Sequence, residues 1–188
     1  MAFDKFEKMF GRIDDFIMSQ FIFMTAPRSL VVYYSYDNNT KLIAETIANV
    51  IGAQIVRIKP QNEMSSTGLF KIMRGIYQIV RKHRPELCPL GVNPQDFDTI
   101  FVGTPVWGGS LTPAVHKFLE SNRFSNKKIG LFCAHGDNYG EVFNEMKGYL
   151  DGNTIIGEKN FSKVLENPEI RKHEATEWVN QVLALLRE

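Results

Sequence analysis

The stretch Ser29–Ile51, SLVVYYSYDNNTKLIAETIANVI, contains a strand pattern, a polar loop and a helix pattern in direct succession. Residues 29–35 are short, β-branched and aromatic without polar alternation, which is typical of a strand buried on both faces. From residue 40 the apolar residues recur at helical spacing, at Ile43, Ile47, Val50 and Ile51. The polar loop between them, SYDNNT at 35–40, suits either an ordinary turn with a helix cap or a cradle for a phosphate.

The same alternation of strand and helix patterns continues along the chain. Further strand patterns are AQIVRIK at 53–59, DTIFVGTP at 98–105, KKIGLFCAHG at 127–136 and NTIIGEKNF at 153–161. Helix patterns follow them at 69–83, 112–121, 141–150 and 168–186. Five strands alternating with helices predict an α/β fold, a parallel sheet covered by helices on both faces.

Two of these helices carry more detailed predictions. Thr112 precedes Pro113, so we expect Thr112 to cap the helix and Pro113 to occupy its first turn. The C-terminal helix has an apolar stripe that should be buried, formed by Ala175, Trp178, Val179, Val182 and Leu185 or Leu186.

Composition and charge exclude several classes of function. Of the 188 residues, 44% are hydrophobic, and 22 Lys plus Arg nearly balance 21 Asp plus Glu. The net charge gives no support to nucleic acid or a membrane surface as the main partner. The two cysteines, Cys88 and Cys133, lack the spacing of a disulfide framework or a metal site, so we expect no metal and a cytoplasmic location. No apolar run is long enough to span a membrane.

Residues 1–27 form a separate predicted unit ahead of the domain at 28–188. Their apolar residues are spaced as the stripe of an amphipathic helix, at Phe3, Phe6, Phe10, Ile13 and Ile17. Scattered acidic residues and the absence of a cleavage pattern distinguish the segment from a signal peptide. The stripe could dock on the chain's own domain, form a homodimer contact, or associate with a membrane surface.

Ligands of parallel α/β sheets bind beyond the carboxyl ends of the strands, where strand order reverses. This rule points to three loops, SYDNNT (35–40), TPVWGGSLTP (104–113) and AHGDNYG (134–140). The first offers backbone amides and hydroxyls but has neither the lysine of a Walker loop nor the glycines of a dinucleotide loop. In the second, Trp107 beside two glycines could face a planar ligand or cover the edge of the core. In the third, Tyr139 is a second aromatic, and His135 could contact a ligand or be an ordinary loop residue.

The segments YYSYDNNTKLIAETIA, GTPVWGGSLTPAVHKFL and KKIGLFCAHGDNYG together resemble the flavodoxin family over residues 30–187. That resemblance implies a doubly wound five-stranded parallel sheet in the order 2-1-3-4-5 and FMN as cofactor. Asn38 stands where the family has glycine, and Asp37 adds a carboxylate near the expected phosphate. The implied FMN-binding residues are Ser35, Tyr36, Asp37, Asn38, Asn39, Thr40, Thr104, Pro105, Val106, Trp107, Gly108, Gly109, Ser110, Ala134, His135, Gly136, Asp137, Tyr139 and Gly140.

Three functions are compatible with this resemblance. The first is an FMN-binding electron-transfer protein, which would exchange electrons with a redox protein partner or an NAD(P)H-dependent reductase. The second is an NAD(P)H-dependent quinone or flavin reductase, and the third is a cofactor-free binding or regulatory protein. The resemblance favours a redox carrier or accessory flavoprotein over a stand-alone NAD(P)H:quinone oxidoreductase, although carriers of this family are usually more acidic than this chain.

Overall fold

A computed structural model of the protein describes residues 28–62 and 84–185. The helices predicted within 1–27 and at 69–83 lie outside the described residues. The described strands are β1 (Ser29–Tyr33), β2 (Gln54–Arg57), β3 (Thr99–Trp107), β4 (Ser110–Leu111), β5 (Lys128–His135) and β6 (Thr154–Ser162). The described α-helices are α1 (Asn39–Ile51), α2 (Pro113–Ser121), α3 (Val142–Lys147) and α4 (Pro168–Leu185). Two short 3-10 helices occupy Pro94–Asp96 and Val164–Glu166.

The long strands form a parallel sheet in the order β2-β1-β3-β5-β6. Counted along the chain without β4, this is the predicted order 2-1-3-4-5, and the predicted flavodoxin-like α/β class is confirmed. The two-residue strand β4 was not predicted, and it pairs antiparallel with the end of β3. Order reverses between β1 and β3, so the loops after these strands open a crevice between them.

Helices cover both faces of the sheet and bury two separate apolar clusters. On one face, α2 and α3 pack through Val115, Phe118 and Met146. On the other face, α1 and α4 pack through Ile47 and Val179, among other residues. Because both faces are covered, the central strands are buried along nearly their whole length, which explains their unbroken apolar sequences.

The register between β3 and β5 is set by two reciprocal pairs of phenylalanine and glycine. Phe101 lies opposite Gly130, and Phe132 lies opposite Gly103. A Cβ added to either glycine would overlap the ring of the phenylalanine across from it. Each ring therefore uses the space that a side chain on the neighbouring strand would fill, and a shift of register would leave both rings without room.

The predicted details of two helices are confirmed only in part. Ala175, Trp178, Val179 and Val182 of α4 are buried as expected. Of the last predicted position of the stripe, Leu185 or Leu186, Leu185 is 67% exposed and Leu186 lies outside the described residues. Thr112 does precede α2, but its side chain makes no capping hydrogen bond, because its hydroxyl lies 3.2 Å from that of Thr104.

Replacing Gly130 by alanine should test the Phe–Gly pairing. The added methyl group would overlap the buried ring of Phe101, so we expect Gly130→Ala to lower the free energy of unfolding by about 1–3 kcal/mol. Urea denaturation followed by circular dichroism measures this change. Gly148→Ala is the matched control, since Gly148 has a right-handed helical backbone and its new methyl group would make only ordinary contacts. Equal stability of the two variants would contradict the pairing.

Candidate functional site

The first loop makes a left-handed turn into α1. Asn38 has φ 70° and ψ 0°, the conformation expected of a residue that replaces glycine there. Its side chain makes no capping hydrogen bond. Instead, the exposed Asp37 accepts a hydrogen bond from the backbone N–H of Asn39, 3.2 Å away. The Asp37 carboxylate therefore already accepts a hydrogen bond from one of the backbone amides at the N-terminus of α1.

Two hydroxyl groups beside this turn are buried without a partner. Ser35 is 3% exposed and Thr40 is fully buried. Neither hydroxyl oxygen has a hydrogen-bond partner among the described residues. A buried polar group in this state costs about 1–3 kcal/mol. The N-terminus of α1 is thus flanked by two polar groups whose hydrogen bonds are unmade.

The second loop is a tight β-hairpin, and the strand before it is longer than the one predicted at 98–105. β3 continues to Trp107, which pairs with Ser110 across the turn. Gly108 and Gly109 have φ of 58° and 77°, and two consecutive positive values are what a type I′ hairpin turn requires. The glycines serve the turn itself, and the backbone places Trp107 at its tip.

Trp107 is held by two tyrosines that come from the first strand and its loop. Its ring is nearly perpendicular to those of Tyr34 and Tyr36, at centroid separations of 6.0 and 6.1 Å. Such edge-to-face contacts stabilise a fixed orientation of the indole. The first and second loops are therefore packed together through aromatic rings.

The third loop lies against the second through backbone atoms. Glu141 donates its backbone N–H to the carbonyl oxygen of Gly109 at 3.1 Å. Gly140, with φ 54°, approaches so closely that a Cβ there would overlap the Gly109 carbonyl. Tyr139 is 39% exposed, and its ring contacts those of His135 and Phe143 at centroid separations of 5.6 and 5.7 Å.

A cavity of about 610 Å³ opens between these loops, within the usual range for small-molecule sites. Its wall contains predicted residues from all three loops, namely Asp37, Asn39, Pro105, Val106, Trp107, Ala134, His135, Gly136 and Asp137. The other predicted residues lie outside this wall: Ser35, Tyr36, Asn38, Thr40, Thr104, Gly108, Gly109, Ser110, Tyr139 and Gly140. Tyr139, expected as the second ring of a slot, packs beside the cavity instead.

A fourth loop completes the wall, and it was not predicted. Lys163, Leu165 and Glu166, which follow β6, all line the cavity. The backbone N–H of Leu165 donates to the Asn39 side-chain oxygen at 3.0 Å, and that of Lys163 donates to the His135 carbonyl at 2.9 Å. The rule that ligands bind at carboxyl ends of strands, applied to the last strand as well, would have identified this loop.

The hairpin is anchored from behind by Glu145 of α3. The Ser110 hydroxyl donates to the two Glu145 carboxylate oxygens at 2.8 and 2.7 Å, and the Leu111 N–H donates at 3.1 Å. His116 of α2 approaches the same carboxylate at 3.3 Å, and its other ring nitrogen lies 3.2 Å from the Tyr149 hydroxyl. The Ser110 side chain therefore fixes the hairpin, and its predicted place beside a flavin stays a prediction.

Other reactive groups in the described residues contribute little here. Burial raises the pKa of the Cys133 thiol to about 12, so that it remains protonated at neutral pH. Both cysteines are free. Within 28–62 and 84–185, no cluster of three or more His, Cys, Asp or Glu is placed to hold a metal. Across the same ranges, no helix has the length and apolar character needed to cross a bilayer.

The partly buried imidazole behind the hairpin should make stability depend on pH. Burial and, after it, Arg84 lower the pKa of His116 below its ordinary value of about 6.5, while Glu145 and Glu120 act in the opposite direction. When the pH falls below the pKa of this histidine in the unfolded chain, the unfolded chain takes up a proton and the native state does not. The free energy of unfolding therefore decreases until the pH reaches the lower pKa of His116 in the native state. We expect His116→Gln, which cannot ionise, to lose less stability than the wild type between about pH 7.5 and pH 5.

Urea denaturation at the two pH values measures this difference. The matched control is His173→Gln on the outer face of α4, where the histidine side chain is 73% exposed. That variant should follow the wild type. If the free energy of unfolding of His116→Gln falls on acidification as much as that of the wild type, then His116 does not contribute to the pH dependence of stability.

Comparisons with known proteins agree with this architecture. A family model described as Flavodoxin matches residues 28–182. No curated protein matches the chain. Among solved structures, it is similar to a flavoprotein in complex with FMN from Lactobacillus acidophilus NCFM (21% identity, TM-score 0.63, covering 75% of this chain and 97% of that chain).

Two further structures share the fold. A protein from Bacteroides eggerthii DSM 20697 is 18% identical, with a TM-score of 0.66, and the match covers 84% of this chain and 98% of that chain. Oxidised Flavodoxin 2 from Bacillus cereus is 15% identical, with a TM-score of 0.55 over 84% of this chain and 98% of that chain. These identities establish the fold alone, whereas the family model spans most of the sequence. The chain belongs to the flavodoxin family.

Proposed function

We propose that this protein binds FMN in the cavity between the four loops and transfers electrons to or from another redox protein. The observation that carries the proposal is the pair of unpartnered buried hydroxyls, Ser35 and Thr40, at the N-terminus of α1. A helix N-terminus flanked by free hydroxyl donors suits a phosphate group. A phosphate bound there would satisfy polar groups that the protein otherwise leaves unpaired.

The rest of the cavity fits a planar ring system. The edge-to-face contacts with the tyrosines hold the Trp107 indole at the cavity wall, where it can contact a flat heteroaromatic ring. The third loop supplies Ala134 and Gly136 to the same wall. These small residues leave room for a flat ring to approach the backbone closely. The flavin supplies the redox chemistry, and the protein's part is to bind it, orient it and exclude water.

The charge around the cavity supports a protein partner. Asp37, Asp137 and Glu166 contribute carboxylates to the described wall, against the single ammonium group of Lys163. Carboxylates around the cavity are complementary to a basic protein surface. A carrier role therefore does not require the whole chain to be acidic, because a partner protein meets the local charge around the cavity.

Removing the free hydroxyls should move stability and affinity in opposite directions. Because Thr40→Val and Ser35→Ala delete buried groups without partners, we expect the free energy of unfolding of the flavin-free protein to stay equal or rise by about 1 kcal/mol. Because each hydroxyl would donate to a charged phosphate, each variant should bind FMN about tenfold more weakly. Urea denaturation and the quenching of FMN fluorescence give the two values.

Thr46→Val is the matched control for these variants. Thr46 lies on the same helix, and its hydroxyl already donates to the Leu42 carbonyl oxygen at 2.8 Å. It should leave FMN affinity unchanged. Loss of stability in the flavin-free Ser35→Ala and Thr40→Val variants, together with unchanged FMN affinity, would show that these hydroxyls serve the fold and not a phosphate.

Anaerobic redox assays separate the functions open to this family. We expect the FMN-loaded protein, reduced with dithionite, to pass electrons to cytochrome c, used as a one-electron acceptor, and to oxidise NADH or NADPH only slowly. Rapid oxidation of NAD(P)H with a quinone as acceptor would instead identify a reductase. A preparation that takes up no FMN at all would overturn the proposal and favour a cofactor-free binding protein.

A further inference from the structure

We propose that Lys163 is the residue that makes the site specific for a phosphorylated flavin, by placing its ammonium group on the phosphate. This inference rests on the proposed binding of FMN. The first loop, which would surround the phosphate, contains no cation of its own. Among the described wall residues the one cation is Lys163, and it comes from the fourth loop.

The backbone places Lys163 between the first and third loops. The first loop would meet the phosphate of the cofactor, and the third loop would meet its ring. On one side, Leu165 is hydrogen-bonded to Asn39, the first residue of α1. On the other side, the N–H of Lys163 itself is bonded to the carbonyl of His135. These two bonds hold the fourth loop, which Lys163 begins, beside the N-terminus of α1.

The conformation of Lys163 indicates that the side chain is needed at this position. Its φ of 47° and ψ of 50° are left-handed, a region in which a residue other than glycine or asparagine costs about 1–2 kcal/mol. Glycine would adopt the same turn at less cost. A residue in such a conformation points to a functional requirement, here a positive charge inside an otherwise acidic rim.

The ion pair between Lys163 and Asp137 is easily exchanged. Its Nζ lies 3.8 Å from Asp137 Oδ1, and the two side chains are 50% and 94% exposed. An ion pair so exposed contributes about 0–1 kcal/mol. A phosphate dianion at the helix N-terminus, which offers more charge and more acceptor oxygens than Asp137, would draw the ammonium group away from it.

Comparing FMN with riboflavin, which lacks the phosphate, tests this role. Quenching of flavin fluorescence gives both dissociation constants. We expect Lys163→Gln to weaken FMN binding about tenfold and to change riboflavin binding less than about twofold. Lys163→Arg should retain most of the preference for FMN. Lys172→Gln, at an exposed lysine on α4 that pairs with Glu169, should behave like the wild type.

Comparing Lys163→Gly with Lys163→Gln separates the effect of charge from that of backbone strain. Both variants remove the charge, but only Lys163→Gly also relieves the strain. It should be more stable to urea than Lys163→Gln and should lose the same preference for FMN. An unchanged ratio of the two dissociation constants in Lys163→Gln, or equal losses for both flavins, would overturn the role of Lys163 while leaving FMN binding intact. If the wild type binds neither flavin, the proposed function itself fails, and the role of Lys163 fails with it.

Discussion

The pairing of Phe101 with Gly130 and of Phe132 with Gly103 is the constraint on which the rest of the structure depends. It fixes β3 against β5 in one register. That register in turn sets Pro105 beside Ala134, the last pair of β3 and β5 before the second and third loops. A slip of one residue would turn the side chains to the opposite face and separate the loops that enclose the cavity.

The site combines a firmly hydrogen-bonded hairpin with buried hydroxyl groups that lack hydrogen-bond partners. Behind the hairpin, Glu145 satisfies the Ser110 hydroxyl and the Leu111 N–H, so the turn that carries Trp107 is firmly anchored. Beside the turn into α1, the hydroxyls of Ser35 and Thr40 are buried without partners. Unpaired buried groups lower stability, and proteins retain them chiefly where function requires them. These unpaired hydroxyls are the strongest physical argument that an anionic ligand binds at the N-terminus of α1.

The sequence predicted what depends on local patterns. Strand and helix alternation gave the α/β class, the resemblance to flavodoxins implied the strand order, and the left-handed turn at Asn38 follows from residue type. Contacts between distant segments were not predictable in this way. The hairpin form of the second loop depends on pairing between β3 and β4, and the side chain of Ser110 turns to a helix 35 residues away. Lys163 was missed because neither its strand nor its loop has a distinctive composition.

The central claim is that one flavin mononucleotide binds between the four loops at the carboxyl edge of the sheet. Amide NMR spectra of isotope-labelled protein, recorded with and without FMN, test it most directly. We expect FMN to shift amide signals mainly at residues 35–40, 105–110, 134–140 and 163–166, with the amides at the start of α1 among the most affected. Spectra that do not change with FMN, or shifts concentrated away from these loops, would contradict it.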